Sequence, residues 1–415
     1  SMSGNIDVKF RLTPRQKLLM PVLMCGTFFE GFDWMVINLA LPFISRDMGI
    51  DIKFTGISLS IVAIGTLVAF FIVRLSDRIG RRPVFLWSVS LYALLSLLTA
   101  LAPNIYYFVA CQFLARVFLV SEWATGLIVI AEEFPVEMRG RALTLFQGVA
   151  AIGAIFPSLF MPLVAKTALS WRGLYIIGIL PLFVVLLLRK NFSETERFQR
   201  IKETREPRAE FFAVFKPAYR KYMLTVSALW FLAYLCYAAS MNFFSYRVVN
   251  ELGWNESRVG LTTAVAYLLG LSGYFVAGKL MDSLGRKKTA VLFFLGGSLG
   301  TVCAFQATGY IWVFASLIVG TFFVGVFTVL CSSFTNELFP TAIRANATAW
   351  GNNIIGRLAQ ILAPSAIGFL AGPLHSTGNA VSLMALGPII ATLLVIFMLP
   401  ETRYREMQDF VENTE

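Results

Sequence analysis

Five ionisable side chains stand inside stretches that are otherwise apolar: Glu30, Asp33, Arg116, Glu122 and Arg357. Such residues are costly in apolar surroundings and persist where they face a protein interior or a watered path. A carboxyl can take up and release a proton, and a guanidinium can hold an anion through a fork of N–H donors. Glu30 and Asp33 are three positions apart, so a helix presents them on one face. Asp33 and Arg116 each lie eleven residues from the same end of their stretches. That is a depth of ~16 Å at helical rise, so a pair between them is expected, with Glu122 on a different face. The bland alternative is a static bridge that fixes packing.

Arg357 belongs to a polar stripe. Asn353, Arg357, Gln360 and Pro364 recur at spacings of 4, 3 and 4, and Trp350 extends the stripe by one turn. No acid shares its stretch, so Arg357 is a natural partner for an anionic small molecule, most simply a carboxylate. The rival reading pairs it with Glu30 or Asp33. A second stripe, Trp230, Tyr234, Tyr237 and Met241, either lines the same space or packs as core. Metal chemistry has little to work with: there is one histidine, His375, and the five cysteines form no C-x-x-C pair and read as packing residues. No phosphate-binding loop is visible and no nucleophile–base set stands out, so neither nucleotide hydrolysis nor an enzyme is expected.

The elements that must position these residues follow from composition. Of 415 residues, 57% are hydrophobic and only 14% charged, against about 25% charged in a soluble domain. Twelve apolar stretches, the first at 18–44 and the last at 381–399, each suit a membrane-spanning helix of ~20 residues. The fold class is therefore an all-α membrane protein of twelve transmembrane helices. The net charge of +11 resembles a nucleic-acid signal until its distribution is read. Lys and Arg collect in alternate connections, including Arg74, Arg78, Arg81 and Arg82 and the central stretch from Arg189 to Lys221. Under the positive-inside rule that side is cytoplasmic, both termini included, and no nucleic-acid partner is needed. The first stretch carries Glu30 and Asp33 and is too long for the core of a cleavable signal peptide.

Internal repeats organise the chain further. Asp77-Arg78-Ile79-Gly80-Arg81-Arg82 recurs as Asp282-Ser283-Leu284-Gly285-Arg286-Lys287, and Glu132-Glu133-Phe134-Pro135 with Arg139 recurs as Glu337-Leu338-Phe339-Pro340 with Arg344. Both repeats share an offset of 205 residues. Two homologous bundles of six helices are implied, at 1–189 and 221–415, joined by a polar linker at 190–220. Asp77, Arg81, Arg139, Asp282, Arg286 and Arg344 are then candidates for a latch: the aspartates can meet Arg139, Arg344 or helix N-termini in one conformation and leave them in another.

These motifs resemble the hallmark loops of the major facilitator superfamily of secondary transporters. The second copy fits through Gly278, Asp282, Gly285 and Arg286, whereas the first has Val73 where the family has its leading glycine. Pro400-Glu401-Thr402-Arg403 also looks like the family. Within it, Glu30-Gly31-Phe32-Asp33 and Ser121-Glu122-Trp123 are most similar to proton-coupled organic-acid symporters of the aromatic-acid, metabolite and sialate type. Where those carry an arginine in the fourth helix this chain has Gln112, with Arg116 one turn on. The resemblance implies symport of a small organic anion by alternating access, powered by the proton gradient without a cofactor. Arg357, Arg116, Asn353, Gln360, Tyr234, Tyr237 and Trp350 would contact substrate, and Asp33, Glu30 or Glu122 would carry the proton. A monomer in the bacterial inner membrane is expected. A proton-driven efflux antiporter for amphiphilic or cationic compounds and a neutral sugar or nucleoside porter are the alternatives.

Overall fold

The computed structural model describes residues 11–196, 198–199 and 210–402, apart from the side chains at 136–137, 139–141 and 341–342. Among the described residues there is no strand, and twelve helices are long and apolar enough to cross a membrane. They are α1 (Pro14–Met48), α2 (Ile52–Ile79), α3 (Arg81–Ala100), α4 (Ile105–Glu133), α5 (Ala142–Val164) and α6 (Trp171–Asn191). After the linker come α7 (Pro217–Asn250), α8 (Glu256–Ser283), α9 (Arg286–Gln306), α10 (Tyr310–Leu338), α11 (Ile343–Leu370) and α12 (Thr377–Met398).

Local chemistry sets many of the boundaries. Asn104, Asn255 and Ser376 cap α4, α8 and α12, each accepting from the N–H three residues on at 2.8–2.9 Å. Pro217 opens α7, where its missing N–H costs nothing. Inside the spans, Pro181 and Pro388 follow breaks in α6 and α12. In α11 the segment Ala349–Gly356 is a π-helix, whose i→i+5 rings widen the turn just before Arg357.

The chain clusters into two compact units. The first comprises 1–36, 68–157 and 168–206, and the second 37–67, 158–167 and 207–415. In the first, α1 and α5 touch backbone to backbone through reciprocal glycines. A Cβ on Gly31 would lie 1.8 Å from the Ala150 carbonyl oxygen, and one on Gly153 would lie 2.0 Å from that of Phe28. In the second, Trp230, Phe293, Phe294, Phe327 and Phe334 are fully enclosed. The same unit includes parts of α1, α2 and α5. There α2 meets α11 closely: a Cβ on Gly56 would be 2.4 Å from the Pro364 carbonyl oxygen. The Ser60 hydroxyl donates to the Ile361 carbonyl (2.5 Å) and accepts from the Ser365 N–H (3.1 Å), the two ends of one helical rung of α11.

Candidate functional site

In the first unit, the helical register that packs Gly31 against α5 turns Asp33 into the interior. Asp33 is 1% exposed and Arg116 4% exposed, and the two interact electrostatically. The Arg116 guanidinium lies 3.9 Å from the centroid of the Trp34 ring, so α1 supplies it with both a carboxylate and an aromatic face. Glu30, one turn back on the same face, is half-buried. Glu122 is fully enclosed, and neither of its carboxyl oxygens hydrogen-bonds a described residue. Gly26 of α1 makes room for it, since a Cβ there would be 3.0 Å from Glu122 Oε1. Glu122 senses the charges of both Glu30 and Asp33. Gln112 is engaged elsewhere. Its amide donates to Thr99 Oγ1 (3.0 Å) and its carbonyl accepts from the Tyr175 hydroxyl (3.4 Å), tying α4 to α3 and α6.

In the second unit, Arg357 is held on two sides. Its Nη1 donates to Gln360 Oε1 at 2.8 Å, and its guanidinium carbon lies 5.6 Å from the Tyr234 ring centroid. The Tyr234 hydroxyl donates to Asn352 Oδ1 at 2.8 Å, which anchors the aromatic platform to α11. Gly356 lets the two helices approach this closely, because a Cβ there would come 2.8 Å from the Tyr234 ring. A guanidinium has five N–H donors in a fixed fork, so one bond to Gln360 leaves capacity for an oxyanion.

The two sequence stripes are divided by the structure. Trp230 is core, its indole donating to Thr335 Oγ1 at 3.0 Å, while Tyr234 and Tyr237 pack edge to face at 6.0 Å. Met241 accepts from the Tyr267 hydroxyl at 2.6 Å. Trp350 departs from the Arg357 stripe: its indole donates to the Phe211 carbonyl at 2.8 Å and its rings pack against Phe211, Phe212 and Phe215. The reason is the π segment, which contains Trp350 and ends just before Arg357, so its wider turn rotates one relative to the other. Asn353 is half-buried within that segment, next to the Asn352 that bonds Tyr234. Asn352 is the residue that pattern reading missed, since the stripe assumes an uninterrupted α-helical period.

Each repeat motif builds a charge cluster at the basic end of its bundle. In the first unit, Arg81 binds Glu132 (Nη2–Oε1 2.7 Å, Nε to both oxygens 3.2 Å), Asp77 (3.2 Å) and the Ser76 carbonyl (2.8 Å). In the second, Arg286 binds Glu337 (3.0 Å), Asp282 (3.4 Å) and the Met281 carbonyl (3.0 Å). Gly80 and Gly285 precede these arginines with φ of 108° and 95°, a region that L side chains seldom enter. Two further carboxylates occupy the helix N-termini that follow. Glu194 accepts from the N–H groups of Arg81 (3.0 Å) and Arg82 (3.2 Å), and Glu401 from those of Arg286 (2.8 Å) and Lys287 (3.1 Å). Their neighbours complete the symmetry: Thr195 donates to Glu132, and Thr402 to Glu337. A signal for these was present, because Glu194-Thr195 recurs as Glu401-Thr402, at an offset of 207 rather than 205. Arg344 stands half-buried at the start of α11, and the Arg139 side chain lies outside the described residues.

Comparison with known proteins agrees with this architecture. The profile described as the Major Facilitator Superfamily matches residues 23–364 and again 226–409. The chain belongs to the major facilitator superfamily and is a membrane transporter of twelve spanning helices. Among curated relatives, it is 25% identical over 395 residues to the sialic acid transporter NanX of Escherichia coli, covering 93% of this chain and 94% of that one. It is 26% identical over 422 residues to the niacin transporter NiaP of Acinetobacter baylyi, covering 92% and 93%. It is 24% identical over 395 residues to the cis,cis-muconate transport protein of the same organism, covering 91% and 93%. Among solved structures, a D-xylose–proton symporter superposes with a TM-score of 0.75 at 19% identity, covering 93% of this chain and 98% of that one.

Proposed function

We propose that this transporter is a proton-coupled symporter of a small organic anion, most simply a carboxylate, working by alternating access as a monomer in the bacterial inner membrane with both termini cytoplasmic. The observation that carries the reading is Arg357, oriented by Gln360 and seated over the Tyr234 ring with donors to spare. Tyr234 and Tyr237 offer a flat wall to the body of such a molecule, and the relatives above are named for sialic acid, niacin and cis,cis-muconate, all carboxylic acids. In this reading Asp33, Glu30 and Glu122 handle the proton. When substrate draws on Arg116, Asp33 loses its counter-charge and takes up a proton, which links the two fluxes; no bound cofactor is required. The charge clusters around Arg81 and Arg286 bias the equilibrium between the two access states.

The test is uptake into proteoliposomes under an imposed pH gradient, with a panel of carboxylates beside neutral and cationic solutes. Accumulation of a carboxylate is expected, lost in Arg357→Ala and not restored by Arg357→Lys, which keeps the charge but not the planar fork. Gradient-driven accumulation only of cations or neutral sugars, or undiminished carboxylate uptake by Arg357→Ala, would overturn the proposal.

A further inference from the structure

The basic run after Gly285 contains two lysines whose side chains the charge cluster does not use. Lys287 and Lys288 stand at the basic end of a groove of about 570 Å³ on the surface of the second unit, between α9 and α12. Below them the walls are Val291, Leu292, Leu295 and Leu299 of α9 and Ile396 of α12. Leu292, Leu295 and Leu299 are 46%, 45% and 65% exposed, and they belong to a membrane-spanning helix, so this surface meets acyl chains. From Lys287 to Leu299 the groove runs ~18 Å at helical rise. That is roughly one leaflet of a hydrocarbon core ~30 Å thick.

Charge and shape in the groove are complementary to one class of molecule. Lys287 Nζ is pinned at its mouth by a bond to the Ile396 carbonyl (3.1 Å), which leaves two ammonium N–H groups, and Lys288 is exposed beside it. The carboxylates of this corner are committed elsewhere: Glu401 to the backbone N–H groups of Arg286 and Lys287, and Asp282 to the Arg286 side chain. The first repeat supplies an internal control. At the equivalent positions it has Pro83 for Lys288, Trp87 for Leu292 and Leu91 for Gly296. Its one cation, Arg82, donates to the carbonyls of Phe192 (2.6 Å) and Arg189 (3.1 Å). Two cations above an uncharged groove are therefore peculiar to the second repeat, and family symmetry does not require them.

We propose that the α9–α12 groove is a binding site for an anionic glycerophospholipid, with one acyl chain along Leu292, Leu295 and Leu299 and the phosphate between Lys287 and Lys288. The site is independent of the transported substrate and of which side of the membrane the basic end faces. A zwitterionic lipid fills the groove equally well but brings its own cation to the two lysines, so the headgroup decides the preference.

Native mass spectrometry of the full chain in detergent, titrated with phosphatidylglycerol and phosphatidylcholine of the same acyl chains, tests this. The first bound phosphatidylglycerol is expected to be tighter by roughly tenfold, given the attraction of juxtamembrane lysines for anionic headgroups. Lys287→Gln with Lys288→Gln should abolish that preference, Leu292→Trp should weaken both lipids, and Arg78→Gln, an exposed basic residue outside the groove, should change neither. Equal binding of the two lipids by the unaltered protein, which needs no variant, would overturn the proposal. So would a preference that survives the double glutamine variant, or one that Arg78→Gln removes equally. Loss of a dimer mass in Leu292→Trp with lipid binding intact would assign the groove to a second copy of the chain instead.

Discussion

The two charge clusters are chemically alike but unequally buried, which allows a quantitative comparison within one molecule. Arg81 and Glu132 are each 7% exposed, and the guanidinium makes three short contacts to the carboxylate. Arg286 and Glu337 are 20% and 25% exposed and meet through a single carboxylate oxygen. Removing one partner of a buried pair leaves an uncompensated charge and costs ~3–5 kcal/mol. A well-solvated pair contributes ~0–1 kcal/mol. Asp77 remains 3.2 Å from Arg81 when Glu132 is neutralised, which places Glu132→Gln near the low end of the buried range. Glu337→Gln, on a pair that is one-fifth to one-quarter exposed, is expected to cost ~1 kcal/mol. Thermal unfolding in detergent should show a drop in apparent Tm for Glu132→Gln two to three times that for Glu337→Gln. A double-mutant cycle with Arg81→Gln and Arg286→Gln should give coupling energies in the same ratio. Equal drops at the two sites, or a larger one at Glu337, would refute the view that burial sets the strength of these clusters.

Three further outcomes follow from the geometry. Asp33→Asn should keep substrate exchange across proteoliposomes while losing accumulation driven by a pH gradient, and intact accumulation would remove Asp33 from the coupling set. Tyr234→Phe keeps the ring under Arg357 but deletes the 2.8 Å bond to Asn352; a hydrogen bond of ~1 kcal/mol corresponds to a rise of about fivefold in the KM for uptake with little change in maximal rate. Ser60→Ala removes the hydroxyl inserted into α11 at Ile361 and Ser365. A cysteine introduced at Ile57, the half-buried neighbour of Gly56, should then be labelled faster by a polar maleimide in Ser60→Ala than in the parent, and unchanged labelling would show that this contact does not restrain α2.

How much of this was legible beforehand depends on whether the signal was local. The spans were, because hydropathy is summed over neighbouring residues, although α1 runs beyond its apolar stretch of 18–44, back to Pro14 and on to Met48. Hydropathy marks what lies in lipid, whereas helix ends answer to caps and prolines. The repeat motifs were legible as residues but not as pairings: Glu132 and Glu337 were visible in the motif, yet their position opposite Arg81 and Arg286 needed two helices brought together.

By itself, then, the amino-acid sequence determined the twelve-helix class, the two-fold repeat, the family and the small set of charges buried within the spans, because each depends on composition, spacing or identity along the chain. Tertiary structure alone decided which partners those charges meet. The π segment moved Trp350 to the Phe211 cluster and left Asn352 to anchor Tyr234. The packing of α1 on α4 set Arg116 over Trp34 and left Glu122 facing Gly26. Hydrogen-bond register and interhelical contact are properties of the folded backbone, and no period read from one strip of sequence contains them.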